Sequence, residues 1–330
     1  NNSSITNIVR SFSYNRSNSL TRILSWCAFS FHTFIYILLN FKNSTFIIST
    51  NPPLLSWFLL PLVKLIRLRY FLIIYDVYPD VLIAMQYFKK RNIIMRTWNA
   101  VNRYIYNNSR GILTLSESMA NILKNSTYKS IKVVHNWYDN DFNAIEKSNR
   151  NWFIEKYHLK GKRIIMYSGN LGLTHNVEPL IELASRFRDN ENYRFVIIGD
   201  GAKKKVISKK VNDLKLSNVL LLPFQPKKNL PFTLSAADFG VVALDENAQN
   251  VSVPSKTYYI MAAGCALFCL GSKKSELGRL VNTYNHGVIF ESTEINAMAK
   301  FLEQVTDSEV KEFKKRSREA SNNFTSKNAL

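Results

Sequence analysis

Short apolar runs alternate along the chain with segments whose apolar residues repeat every three to four positions. From about residue 45 to residue 300, turn residues bound the runs and helical periodicity fills the intervals. Such alternation is typical of βαβ units, in which parallel strands are covered by helices. The pattern therefore predicts an α/β protein with parallel sheets.

The first half of the chain contains four strand-like runs. Pro52 and Pro53 break the chain after the first run, and an apolar helix is predicted beyond them. Helical stretches are also predicted around 81–108 and at 117–124. The four predicted strands are 45–49, 69–75, 111–115 and 131–134.

The second half repeats the alternation more clearly. Residues 193–198 are almost continuously apolar, as expected for a strand buried on both faces. Apolar side chains between Val177 and Phe187 have the spacing of an amphipathic helix. The predicted strands are 163–167, 193–198, 219–222, 239–244, 266–270 and 288–290.

A polar segment at 136–149 has neither periodicity and is the predicted domain boundary. The predicted domains are 1–140 and 150–330, with a cleft between them. In open α/β sheets, ligands bind beyond the carboxyl ends of the strands, so candidate residues are sought in the loops that follow strands.

Composition supports two folded domains and excludes several classes of protein. Of 330 residues, 46% are hydrophobic and 21% are charged, which excludes a mainly disordered chain. The three cysteines, Cys27, Cys265 and Cys269, are too few and too far apart for a disulfide framework or a four-thiolate zinc site. Cys265 lies directly before the predicted strand at 266–270 and Cys269 lies within it, and both are expected to be core residues.

Charge is concentrated in the first half. The chain has 44 Lys and Arg against 24 Asp and Glu, a net charge of +20. Residues 1–138 hold sixteen of these cations but only three acids, Asp76, Asp80 and Glu117. This balance predicts an anionic partner such as phosphates, nucleic acid or an acidic membrane surface.

Two apolar stretches, 23–39 and 54–75, lie in this basic half. His32, which is given no functional role, interrupts the first, and Lys64 is among the cations that interrupt the second. The uninterrupted pieces are shorter than the roughly 20 residues that span a bilayer, so we expect buried helices and a basic face for the membrane. A merely solvated basic surface is the open alternative. The polar first twenty residues show no secretory signal.

Two glycine-containing loops follow predicted strands of the second half. In SGNLG at 168–172, two glycines allow backbone N–H groups to approach a phosphate. Taken alone, this motif more often marks an ordinary strand-to-helix turn. The second loop contains Gly199, Asp200 and Gly201 and precedes three lysines. It is either a phosphate loop or a tight turn, and we expect Asp200 to cap the following helix.

The segment VPSKTYYIMAAG at 253–264 is the most specific motif. Pro254 suits the first turn of a helix, Ser252 or Ser255 can cap it, and Gly264 can end it. Lys256 would stand beside the positive end of the helix dipole, which is unfavourable unless an anion binds there. The motif therefore predicts an anion site.

These motifs together resemble a known family. The series YSGNLG, IGDG, LPFQP, SVPSKTYYIMAAG and SELGRLVNTYNHGVIFE resembles the C-terminal half of retaining glycosyltransferases of family 4, which have the GT-B fold. Upstream, STNPP, DVYPD, TLSESM and HNWYD occur in the order of that family's N-terminal domain. The resemblance covers about residues 45–300 and is greatest to the bacterial subgroup that builds capsule, O-antigen and colanic-acid-type polysaccharides.

The resemblance implies two Rossmann-like parallel-sheet domains that face each other across a cleft. It places a nucleotide-sugar donor on the C-terminal domain and the acceptor on the N-terminal one. Lys256 would stabilise the departing diphosphate, and no divalent metal or other cofactor is required. The donor-side residues implied by position are Gly169, Asn170, Gly172, Phe224, Gln225, Pro254, Ser255 and Lys256.

The sequence departs from the family pattern in three places. Val251 and Tyr259 occupy the positions of two glutamates, the second of which usually contacts the donor ribose, and Asn170 replaces a frequent arginine. The loss of glutamate marks either a subgroup or an inactive copy. In addition, 1–44 contains no counterpart of the first strand and Gly-rich loop of the N-terminal domain, which is expected to lack that strand.

Four further residues complete the candidate site. His175 follows the first glycine loop and can donate a hydrogen bond to a diphosphate. Asp200 and Gly201 belong to the second loop. Asp76 follows a strand of the basic half and is expected on the acceptor side; the equally weighted alternative is a turn in which Asp80 caps the next helix.

The sequence thus predicts a cytoplasmic enzyme on the inner face of the cytoplasmic membrane. It would move a sugar from a nucleotide diphosphate, with UDP preferred, to a polyprenyl-diphosphate-linked glycan. The alternative is an inactive GT-B-fold partner or scaffold of a polysaccharide assembly complex. Nucleic-acid binding ranks last, because charge is its only support and no recognition motif is present.

Overall fold

The computed structural model describes residues 19–139, 151–172, 174–245, 247–248 and 250–329. The chain divides into two compact units. Unit 1 extends to Val134 and includes Asn250–Val253, while unit 2 comprises His135–Gln249 and Pro254–Leu330. Each unit is built on one parallel sheet, which confirms the predicted α/β class. Of the predicted boundary at 136–149, residues 140–149 lie outside the described residues.

Unit 1 has a four-stranded sheet whose strands pair in chain order, all parallel. The strands are β1 (Phe46–Ser49), β2 (Tyr70–Ile74), β3 (Ile112–Thr114) and β4 (Ile131–Val133). The helices are α1 (Ser19–Asn40), α2 (Leu55–Leu65), α3 (Asp80–Ala84), α4 (Ile93–Asn108) and α5 (Glu117–Lys124).

Helices α2 and α4 pack against each other in unit 1. The buried face of α4 includes Met95, Trp98 and Ile105. Fully buried Tyr70 of β2 donates a hydrogen bond of 2.5 Å to the carbonyl of Ile105, which ties the helix to the sheet. The side chain of Asn92 caps α4 by accepting a hydrogen bond from the N–H of Ile94.

Helix α1 contradicts the expectation that the stretch at 23–39 is buried. Leu20 and Leu24 are 74% and 65% exposed, and Phe31 on the same face is 53% exposed. His32 does not interrupt the helix. Leu20–Asn40 is consequently long and apolar enough to cross a membrane, judged by length and composition alone.

Unit 2 has a six-stranded parallel sheet in the order β10-β9-β8-β5-β6-β7. Chain order reverses between the neighbours β5 and β8, which makes the carboxyl ends of these two strands the expected ligand position. The strands are β5 (Arg163–Ser168), β6 (Tyr193–Ile198), β7 (Val219–Leu222), β8 (Phe239–Ala243), β9 (Ala266–Leu270) and β10 (Gly287–Phe290).

The helices of unit 2 complete the layers around this sheet. Strands β8 and β9 are buried along their whole length, and Cys265 and Cys269 are fully buried, which confirms their expected place in the core. The helices are α6 (Trp152–Lys156), α7 (Glu178–Arg186), α8 (Lys204–Asp213), α9 (Leu230–Ser235), α10 (Lys256–Ala262), α11 (Glu276–Tyr284), α12 (Ile295–Gln304) and α13 (Asp307–Ser321).

Candidate functional site

The loops after β5 and β6 interlock at the carboxyl edge of the unit 2 sheet. Gly169 donates its N–H to the carbonyl of Ile198 at 2.9 Å. A Cβ on Gly199 would lie 2.0 Å from the carbonyl oxygen of Gly169, and one on Gly201 would lie 2.6 Å from that of Leu171. Both glycines have positive φ, +157° and +147°. These positions therefore require glycine, and they hold the SGNLG loop in place.

Lys256 lies directly beside this loop. Its Nζ is 3.5 Å from the centroid of the Tyr167 ring and would be 3.5 Å from a Cβ on Gly169. The Lys256 residue is partly exposed, but its Nζ is buried and has no hydrogen-bond partner among the described residues. Burial lowers the pKa of Lys256 well below its usual value. A buried ammonium in contact with a ring alone is incompletely compensated, and an anion would stabilise its charged form.

The beginning of α10 differs from the prediction. Neither serine caps it: Ser255 occupies the N-cap position without a side-chain hydrogen bond, and Ser252 is hydrogen-bonded to Asp76 of unit 1. The backbone N–H groups of Thr257 and Tyr258 donate to carbonyls within the turn. The side chain of Lys256, more than the amino end of this seven-residue helix, is thus the basis of an anion site. Gly264 ends the helix with φ of +71°, as predicted.

Pro254 and His175 occupy different positions around Lys256. Pro254 is buried immediately before α10, where its carbonyl accepts from Thr257. His175 Nδ1 is 3.3 Å from the Thr174 hydroxyl. Burial, together with the nearby charges of Lys256 and Lys203, lowers the pKa of His175 to about 3. The imidazole is therefore neutral at pH 7 and retains one N–H donor.

Asn170 and Gly172 adjoin His175. A Cβ on Gly172 would lie 2.7 Å from Asn170 Nδ2 and 3.4 Å from His175 Nδ1. The structure thus brings Asn170, Gly172 and His175 together beside Gly169 and Lys256. These are five of the residues predicted from the sequence to contact the diphosphate.

The lysines after the second loop are already engaged. Lys203 Nζ lies 3.1 Å from a carboxylate oxygen of Glu178, and Lys204 Nζ lies 3.1 Å from Asp200 Oδ2. Asp200 also accepts from the N–H of Gly201 at 2.8 Å. The expected helix cap at Asp200 is wrong, because Lys203 occupies the N-cap position of α8 and no side chain caps it.

A second group of residues involves Tyr259. Asp139 Oδ2 accepts from Lys227 Nζ at 2.6 Å and from the Tyr259 hydroxyl at 3.3 Å. The hydrogen bond from Lys227 lowers the pKa of Asp139 despite a small opposing effect of burial. Beyond β7, Phe224 is 42% exposed and Gln225 Nε2 donates to the carbonyl of Pro223. An aromatic side chain exposed at a sheet edge can stack on a planar base.

Asp76 belongs to unit 1 and lies in a small pocket at the carboxyl ends of β1 and β2. Burial raises the pKa of Asp76, while a hydrogen bond with Ser252 opposes the rise. The hydroxyls of Thr50 and Ser56 also line this pocket and have no hydrogen-bond partner among the described residues. Asp80 is the first residue of α3 and does not cap it.

Sequence reasoning missed two residues of unit 2. Tyr167 provides the ring beneath Lys256, and the signal was its place near the carboxyl end of β5, two positions before Gly169. The second is Asp139, the last residue of the motif HNWYD. Its side-chain partners, Lys227 and Tyr259, are distant in sequence, so no local pattern indicated these contacts. No group of three or more His, Cys, Asp or Glu suited to a metal ion occurs within the described ranges.

Residues 149–324 match the family model for group 1 glycosyl transferases. WbjE of Pseudomonas aeruginosa, named a probable glycosyltransferase, is 23% identical over 303 residues, which cover 90% of this chain and 75% of WbjE. The protein named "Putative colanic acid biosynthesis glycosyl transferase WcaI" from Escherichia coli K12 is 33% identical over 144 residues, or 43% of this chain and 35% of WcaI.

The crystal structure of Anabaena HepE in complex with UDP-glucose is similar in fold. Its TM-score is 0.69 at 12% identity, and the match covers 94% of this chain and 80% of HepE. The α/β fold with two parallel sheets matches that of GT-B glycosyltransferases, as predicted.

Proposed function

Because the chain belongs to the family of group 1 glycosyl transferases, we propose that it is a retaining glycosyltransferase of family 4. It would move a hexosyl or N-acetylhexosaminyl group from a UDP-linked donor to a polyprenyl-diphosphate-linked glycan. The buried Nζ of Lys256 beside Gly169 carries this proposal, since it has no hydrogen-bond partner among the described residues and lies next to a glycine loop. The name of WcaI and the UDP-glucose complex of HepE support the product and donor classes.

In this proposal, the chemistry depends mainly on the leaving group. UDP departs with growing negative charge on its diphosphate, and Lys256 together with the N–H groups of the loop at 169–172 would stabilise that charge. Neutral His175 would donate its hydrogen bond without adding a second charge. The Nζ is covered in this structure, so binding requires the lysine side chain to leave the Tyr167 ring or the loop to shift.

The proposal gives the other predicted residues supporting roles. Phe224 and Gln225 would hold the base, and Tyr259, placed by Asp139, would contact the ribose side. Asp76 would accept a hydrogen bond from the attacking acceptor hydroxyl and then its proton. A raised pKa makes Asp76 a stronger base than an exposed carboxylate, although it is also protonated at higher pH.

Titration of the protein with UDP tests the donor side of the proposal. We expect saturable binding in the micromolar range without added sugar, because the diphosphate supplies the anion that Lys256 lacks. Isothermal titration calorimetry measures it, with uridine as the control ligand. Uridine keeps the base and ribose but has no phosphate, and should bind at least about tenfold more weakly.

Transfer is then measured with a panel of UDP-sugars and membranes that carry the lipid-linked precursor. A product whose anomeric configuration matches that of the donor supports a retaining enzyme. Failure to bind UDP, or binding without transfer to any precursor, favours the inactive scaffold, which the tyrosine at position 259 also suggests.

The exposed apolar residues Leu20, Leu24 and Phe31, which we call the α1 stripe, support a peripheral location on the inner face of the cytoplasmic membrane. An apolar helix face in a basic part of the chain binds anionic lipid in two ways: the apolar side chains enter the membrane, and the basic side chains attract the lipid head groups. We expect the protein to float with phosphatidylglycerol vesicles and to be released in part by salt. Leu24→Ser with Phe31→Ser should reduce the floated fraction severalfold. Val206→Ser, which changes an exposed apolar residue of α8, is the control; equal flotation of all three proteins would contradict this location.

A further inference from the structure

The outer surface of α4 forms a groove that the proposed function does not use. It has a volume of about 760 Å³, which is enough for several sugar rings but far more than an ion needs. We call it the α4 groove. Its main lining residues are Lys90, Arg96, Asn99, Arg103, Asn107 and Tyr128.

The two arginines of the α4 groove have no acidic partner among the residues that the structure describes. Arg96 and Arg103 are exposed and form no ion pair with a described residue. Lys90 is close enough to Asp80 to influence its pKa, and the described lining residues of the groove include no carboxylate. A concave surface with several cations of one sign attracts an anionic ligand.

The spacing of the arginines indicates how the ligand's charges are arranged. Arg96 and Arg103 are seven residues apart, which is two helical turns, so they share one face at about 10 Å along the axis. Asn99 lies between them on the same surface. Phosphates of a nucleic acid strand follow one another more closely than this, whereas two sugar rings of a glycan span a similar length.

The remaining lining suits sugar rings. Tyr128 is 80% exposed, and its hydroxyl donates to the carbonyl of Asn107 at 3.3 Å, so its ring is held at the groove where it can stack on the apolar face of a sugar. The amide of Asn99 combines donors with an acceptor, as sugar hydroxyls require. The amide oxygen of Asn107 already accepts from Thr127 and from the N–H of Tyr128, which leaves its NH2 group as the donor. A flat membrane would instead be matched by an apolar surface such as the α1 stripe.

We propose that the α4 groove binds an oligosaccharide that carries about one carboxylate for every two sugar rings. The chain leaves β2 at the carboxyl edge of the sheet and enters β3 at the opposite edge, so α4 runs from one edge to the other. The groove therefore leads away from the edge that holds Asp76. The idea that the groove holds the distal part of a growing acceptor glycan rests on the proposed function. Binding of a glycan to the groove can be measured without transfer.

Binding to the full chain tests the proposal, with hyaluronan hexasaccharide as the probe because it carries one carboxylate per disaccharide. Its carboxyl methyl ester is the neutral control. We expect the acid to bind and the ester to bind at least about tenfold more weakly. Arg96→Gln and Arg103→Gln should each weaken binding of the acid by about tenfold, since glutamine keeps helix propensity but removes the charge. Arg69→Gln, an exposed cation of unit 1 outside the groove, should have no effect.

Three results would overturn the proposal: equal affinity for acid and ester, binding that survives both groove substitutions, or a stronger arginine-dependent affinity for oligothymidylate or phosphatidylglycerol vesicles. Thermal unfolding shows that each variant remains folded. UDP titration of the same proteins keeps the two proposals separate. Glycan binding without UDP binding contradicts the donor site alone, and UDP binding without glycan binding contradicts the α4 groove alone.

Discussion

Lys256→Met is expected to weaken UDP binding by about 30-fold and to slow transfer by about 100-fold or more, while making the unliganded fold more stable. Methionine fills nearly the same space against Tyr167 without charge. The loss of a charge-assisted contact with the diphosphate accounts for the weaker binding. The gain in stability, about 1 to 3 kcal/mol, follows because a buried amino group that contacts an aromatic ring but has no hydrogen-bond partner among the described residues is removed.

Calorimetric titration with UDP and urea unfolding measure the two effects on the same preparation. Lys300→Met is the control, because Lys300 is an exposed lysine of α12. It should change neither affinity nor stability by a measurable amount. An unchanged UDP affinity in Lys256→Met, with the expected gain in stability, would show that the anion binds elsewhere.

The pH dependence of the free energy of unfolding is a second test of the buried state of Lys256. Because burial lowers the pKa of Lys256 in the folded state, the unfolded chain binds more protons between the folded and the unfolded values. The contribution of Lys256 to the free energy of unfolding therefore rises with pH through that interval. Lys256→Met should remove this rise, which Lys300→Met should leave in place.

The strands of unit 2 were predictable because burial on both faces leaves a clear signal. The runs at 193–198 and 266–270 match the largely buried strands β6 and β9 residue for residue, and the run at 219–222 matches the half-buried edge strand β7. Continuous apolar segments of this length have few alternatives once turn residues bound them. Helix α5 was equally clear, since its capping serine precedes it and accepts from the N–H of Met119.

The environment of α1 could not be predicted in the same way. An apolar helical segment shows that a helix has an apolar face but not whether other elements cover it. His32 was counted as an interruption of the apolar stretch, although Leu20–Asn40 as a whole is long and apolar enough to cross a membrane. The exposed stripe of α1 therefore became evident from the structure.

The candidate site was predicted where a local pattern carried the information. The glycines at 169 and 172 and Lys256 followed from motifs, but their contacts did not. Asp139 meets Lys227 and Tyr259 across 88 and 120 positions of sequence, and no periodicity encodes such pairs. Local rules also failed at Asp200, because Lys204 and the N–H of Gly201 bind the carboxylate that was expected to cap α8.

Gly199→Ala is expected to reduce stability by about 3 to 5 kcal/mol and to weaken UDP binding more than tenfold. The added Cβ would lie 2.0 Å from the carbonyl oxygen of Gly169, a contact that only backbone movement relieves. The φ of +157° adds strain for any residue with a side chain. The loop at 168–172 must then move away from β6, and the N–H groups assigned to the diphosphate move with it.

Gly161→Ala separates the clash from the backbone strain. Gly161 also has positive φ, +74°, but nothing lies within 4 Å of a Cβ placed there. This control should lose about 1 to 2 kcal/mol from strain alone and keep its UDP affinity. Urea unfolding and UDP titration of both variants make the comparison. Equal losses of stability in both, with UDP affinity retained, would show that contact between the two glycine loops does not position the donor site. A much larger loss in Gly199→Ala is expected because its clash is with backbone, which cannot turn aside as a flexible side chain does.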